Sequence, residues 1–242
     1  MQNTVRRAQN PRRIFLDLIF SILIPSFLLT RGDQFIPVDP VTLFFIALAF
    51  PTGYGLYDLF VKKYVNIISI LGFVNTLLSG VVVIFEASKF FIVLKEAGFP
   101  LLIGLALLYY NKSVAEFIKV VTDDVFNKTL ILTKITSKTL DDWYKKIAFQ
   151  FTYPFFLSAF LNLVITYIII QSPTGTEAFN EEMGRLIFWG FLGIAIPTTI
   201  ATMVILILGV LKLQKLTGLK FEELMLSEEE MKKNQQKIKE LD

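Results

Sequence analysis

Cysteine and histidine are both absent from the chain. Their absence removes disulfides, thiol chemistry, imidazole acid/base catalysis and the usual zinc ligands together. Any chemistry would have to rest on carboxylates, hydroxyls or amines. Charged residues are scarce, at 19% of 242, and the carboxylates lie isolated on different segments. No nucleophile and base are spaced for one another and no cluster is spaced for a metal, so the expectation is no enzyme, no cofactor and no metal. The net charge of +3 is small and its arrangement follows the hydropathy, which argues against a nucleic-acid partner. Low-complexity linkers are also missing, and with them the sign of a second folded domain.

What is present is apolar. With 54% apolar residues, 24 of them phenylalanine, and a mean hydropathy of +0.59, the chain carries more hydrophobic surface than one soluble core can bury. Lipid must cover the rest. A helix needs about 20 mostly apolar residues to cross the hydrocarbon. Six stretches meet that need: 14–30, 41–60, 65–85, 92–110, 147–170 and 186–211. Runs such as VVVIF and MVILILGVL lack the alternation of a barrel strand. The expected fold is therefore all-α: a polytopic membrane bundle of six transmembrane helices over 1–211, followed by a charged helical tail over 212–242.

Orientation follows from the basic residues, which cytoplasmic loops keep in excess. Arg6, Arg7, Arg12, Arg13, Lys62, Lys63, seven lysines of the 111–146 loop and seven of the tail place 20 on one side. Arg31, Lys89, Lys95 and Arg185 make 4 on the other. Both termini are then cytoplasmic. The first apolar run leads into TRGDQF without a small-x-small cleavage site, so it is expected as an uncleaved span rather than a signal peptide.

The 111–146 loop is too long for a turn and too apolar for a free linker. Val114, Phe117, Ile118, Val121 and Val125 recur at helical spacing, the pattern of an amphipathic helix that lies on the bilayer or docks a partner. A second stripe follows at Leu130, Ile131 and Ile135, and Trp143 and Tyr144 beside Lys145 and Lys146 read as an interfacial anchor. In the tail, Ser227 followed by Glu228, Glu229 and Glu230 reads as a capping box that opens a solvated charged helix.

Ionisable residues inside a bilayer are costly and so are functional candidates. Asp17 and Asp58 both fall near the cytoplasmic interface, as structural partners of nearby basic residues or as one cation site. Lys95 and Glu96 begin the fourth span and are expected to snorkel, with Pro100 freeing the Glu96 carbonyl. Gln150, Ser158, Asn162 and Thr166 share one row of the fifth span with Pro154 and should face other helices. Prolines at Pro25, Pro51, Pro100, Pro154 and Pro197 predict kinked helices. AFPTGYGLY also faintly repeats in GFPLLIGLALLYY.

Four stretches carry a resemblance: NPRRIFLDLIFSILIP, ALAFPTGYGLYDLFVKKY, KFFIVLKEAGFPLLIGLALLYYNKSVAEFI and WYKKIAFQFTYPFFLSAFLNLVITYII. In this order they resemble the bacterial intracellular septation protein A group and its longer multi-pass relatives. The resemblance implies an inner-membrane protein of cell division, elongation or envelope integrity, and carries no catalytic residues. Its partners would be the bilayer and membrane or division proteins met through 111–146 and 212–242, with a second copy of the chain among them. The alternative is a small ion or solute channel or transporter with a path lined by Asp17, Asp58 and Asn162.

Overall fold

The computed structural model describes residues 18–61, 78–123 and 125–226, with the backbone alone at 54, 55 and 57–61. Regular structure among them is helical throughout. The elements are α1 (Ile24–Arg31), α2 (Pro40–Val61), α3 (Lys89–Tyr109), α4 (Asn111–Asp123), α5 (Lys128–Lys134), α6 (Ser137–Gln150), α7 (Thr152–Ile169), α8 (Glu177–Gly190), α9 (Ile196–Thr217) and α10 (Phe221–Leu224). A short helical segment at 78–84 precedes α3.

Three helical stretches are long and apolar enough to cross a membrane: Lys89–Tyr109, Ser137–Ile169 and Glu177–Thr217. Of the apolar window in Glu177–Thr217 only 11% is buried, so most of that surface is left for lipid. This is the make-up of a membrane protein. Pro40–Gly53 adds a shorter apolar helix. The start of the first expected span and most of the third lie outside the described residues, as do Asp17, the side chain of Asp58 and the Ser227 capping box.

The prolines act in three ways. Pro25 and Pro197 each follow a π-helical turn by two residues, Ile19–Leu23 and Phe191–Ala195 respectively. A wider turn accommodates the carbonyl that a proline cannot serve. Pro154 lacks the N–H that would bond the Gln150 carbonyl, and the helix breaks there between α6 and α7. The Thr152 hydroxyl donates to the Phe149 carbonyl at 2.7 Å across that break. Pro51 and Pro100 lie inside the continuous helices α2 and α3.

The described residues fall into two compact units, one running to Gly98 and resuming over Phe160–Ile196, the other holding Phe99–Ala159 and the residues from Pro197 onward. The first is centred on Leu29, Phe44, Ala47, Ile92, Phe179 and Met183. Its closest approach is α1 on α8. Gly184 permits it: a Cβ there would stand 2.8 Å from the Ser26 carbonyl oxygen and 2.6 Å from Thr30 Cγ2. The Ser26 hydroxyl donates to the Gly184 carbonyl at 2.7 Å. The second unit is centred on Ile131, Leu140, Trp143, Tyr144, Ile147, Leu213 and Leu224.

Candidate functional site

The second unit holds a helical module that joins the loop and the tail. Asn127 caps α5 by accepting from Leu130 N at 3.1 Å, and Thr136 caps α6 by accepting from Thr139 N at 3.2 Å. With α6 so begun, Leu140, Trp143, Tyr144 and Ile147 share one face, which packs against α4 and the end of α9. The chain after α9 returns along 125–127: Asn127 N donates to Leu224 O at 2.8 Å, and Leu226 N to Val125 O at 2.9 Å. These bonds pair Phe126 with Met225 in an antiparallel bridge.

Trp143 and Tyr144, expected as an interfacial anchor, are 6% and 3% exposed within the module. The indole nitrogen donates to the Gly209 carbonyl at 3.0 Å, a partner 66 residues away that the local sequence does not announce. The Tyr144 and Thr122 hydroxyls are hydrogen-bonded at 3.1 Å. Burial pushes the Tyr144 phenol above its ordinary pKa, against a smaller lowering by Thr122. The boundary expected at residue 212 also moves. α9 runs on to Thr217, and Leu213, Thr217, Leu219 and Leu224 are buried, so the first part of the tail is core rather than solvated helix.

The predicted stripe of α4 divides. Val114, Ile118 and Val125 turn into the module beside Ala115, whereas Phe117 and Val121 stand 68% and 49% exposed, next to Val120 at 68%. α4 is also held by Lys119, whose ammonium donates to Asp141 at 3.0 Å; that bond raises the Lys119 pKa. On the same module the Lys146 and Lys212 ammoniums are close enough that Lys146 lowers the pKa of Lys212.

In the first unit, Lys95 and Glu96 form an ion pair. Lys95 Nζ lies 2.7 Å from Glu96 Oε1 and donates to Ser79 Oγ at 2.7 Å, with side chains 10% and 19% exposed. The Ser79 hydroxyl, itself 8% exposed, gives the ammonium an internal acceptor. The polar row of the fifth span separates: Gln150 closes α6, while Ser158, Asn162 and Thr166 lie on α7 beyond the break. Ser158 and Asn162 are half-buried, each with an interaction of its own, and Thr166 is fully buried.

Glu182 is the site residue that sequence reasoning missed. It is 7% exposed, and its carboxylate accepts from Gln171 N at 2.8 Å, Ser172 N at 2.9 Å and Ser172 Oγ at 2.9 Å. It thereby caps the backbone that leaves α7. The available signal was its row with Phe179, Met183 and Leu186, an acid on an otherwise inward apolar face.

No protein-family model, curated protein or solved structure matches the chain.

Proposed function

We propose that the chain is a non-enzymatic multi-pass protein of the bacterial inner membrane, with six spans and both termini cytoplasmic, that acts in cell division or envelope integrity through partner contacts. The division of the α4 stripe carries this reading. One half is used up in the module's core, while Phe117, Val120 and Val121 stay exposed on a helix whose opposite face is held. A contiguous apolar patch on an ordered helix is the feature a partner's groove recognises. The 20 to 4 distribution of basic residues supports a cytoplasmic module, and the resemblance to septation protein A-like proteins agrees with a role in the envelope.

The test is co-purification of crosslinked partners from membranes with Phe117→Ser and Val121→Ser combined. Loss of partners with unchanged melting of the module is expected. An unchanged partner set overturns the reading, since a stripe that merely lies on lipid would give that result.

The channel or transporter reading draws its support from Lys95, Glu96 and Ser79, a shielded ionic cluster near the start of an apolar helix. In proteoliposomes the Lys95→Met and Glu96→Gln variants should then abolish cation or proton flux. Flux unaffected by either removes the cluster from any pathway.

A further inference from the structure

The first unit contains an open groove of about 500 Å³ at the junction of α7 and α8. Its lining is apolar at Ile165, Ile168, Ile169 and Trp189 and polar at Gln171, Glu182 and Arg185. The groove falls where the apolar run of α7 ends and that of α8 begins, the depth at which acyl chains give way to headgroups. Ile168 is 65% and Trp189 50% exposed, so the wall offers apolar surface to a chain lying along it.

We propose that this groove seats one phospholipid bearing both a phosphate and a primary ammonium, of the phosphatidylethanolamine type. Arg185 supplies the phosphate contact: its guanidinium is exposed and makes only a 3.7 Å approach to Glu181. A pair so exposed is weak, and a headgroup displaces it at little cost. Glu181 then offers its carboxylate to the ammonium. Gln171 adds an acceptor, since its amide nitrogen is engaged by the Tyr167 and Ile168 carbonyls and leaves the amide oxygen for the ligand. Glu182 stays committed to the backbone of Gln171 and Ser172.

Charge selects the headgroup. Glu177, Glu181 and Glu182 on α8 outnumber Arg185 there. Lys89 is engaged with the Tyr167 ring, its ammonium 4.0 Å from the centroid. Glu182 and Arg185 balance in the lining, and Glu181, 3.7 Å from Arg185 just outside it, adds a carboxylate that disfavours a lipid of net negative charge; a quaternary ammonium cannot donate hydrogen bonds to Glu181. A zwitterion with a primary amine satisfies both signs. The inference needs only that the chain resides in a membrane and is independent of the partner reading.

The test uses the full-length protein, delipidated in detergent and offered equimolar phosphatidylethanolamine, phosphatidylglycerol and phosphatidylcholine of identical chains, with adducts counted by native mass spectrometry. Phosphatidylethanolamine should dominate. Arg185→Gln should lower its adduct about tenfold, the loss of one charge-assisted contact. Glu181→Gln should abolish its advantage over phosphatidylglycerol. Equal adducts of all three lipids on the unaltered protein, or an unchanged preference in both variants, overturns the proposal. Labelling of the unaltered protein by a phosphatidylethanolamine with a photoreactive chain must mark Ile168 or Trp189; labels confined elsewhere overturn it independently of any variant.

Discussion

The indole of Trp143 on α6 donates to the backbone carbonyl of Gly209 on α9 at 3.0 Å, and the same glycine makes room for Ile147 one turn further on: a Cβ at 209 would lie 2.5 Å from Ile147 Cδ1. One contact thus ties the loop to the last long helix. Trp143→Phe should keep most of the packing and lose the bond, costing roughly 1 kcal/mol, whereas Trp143→Ala should cost roughly 3–5 kcal/mol. Gly209→Ala should cost less than Trp143→Ala, because the end of the Ile147 side chain can move. Thermal melts in detergent followed by near-UV circular dichroism give the order.

Gly184 faces a harder neighbour. The atom 2.8 Å from its would-be Cβ is the Ser26 carbonyl oxygen, which cannot rotate away. Gly184→Ala should therefore separate α1 from α8 and cost about 1–3 kcal/mol or more, while Ser26→Ala should cost roughly 1 kcal/mol through its hydrogen bond. Hydrogen exchange protection over residues 26–31 falling in Gly184→Ala but not in Ser26→Ala is the expected pattern.

Glu182 serves two backbone N–H groups at once. Glu182→Ala leaves the Gln171 and Ser172 amides without that acceptor and should cost about 1–3 kcal/mol. Glu182→Gln keeps an acceptor oxygen and should recover part of the loss. Proteolytic nicking over 171–176 is the readout; equal nicking in all three proteins would place the order of this segment elsewhere.

The module should weaken in alkali. Tyr144 and Lys119 both have pKa values raised in the fold, the first by burial and the second by Asp141. A raised folded value means the stabilisation is complete below the ordinary pKa and is lost as pH climbs through the folded one. Tyr144→Phe and Lys119→Met should each flatten the decline in melting temperature above about pH 10. Lys212 has the opposite sign: its value is lowered by Lys146, so their repulsion opposes folding while both are charged. Lys146→Met should raise the melting temperature at neutral pH, and the gain should shrink as pH rises.

Hydropathy alone makes this chain helical and largely lipid-facing, because twenty apolar residues in a row have no other place to put their surface and lipid leaves their backbone no other partner. Proline positions likewise mark the π-turns before Pro25 and Pro197 and the break before Pro154, since a missing N–H acts within its own turn. Side-chain roles are another matter. Trp143 next to two lysines looks the same in sequence whether it anchors in lipid or closes a core, and only the arrival of Gly209 makes it core. Lys95 gains Ser79 as an acceptor only through the fold, and Glu182 is one acid among several until the backbone at 171–172 turns back to it. Local patterns determine what a segment is, whereas burial and hydrogen-bond partnership depend on atoms brought together from far along the chain.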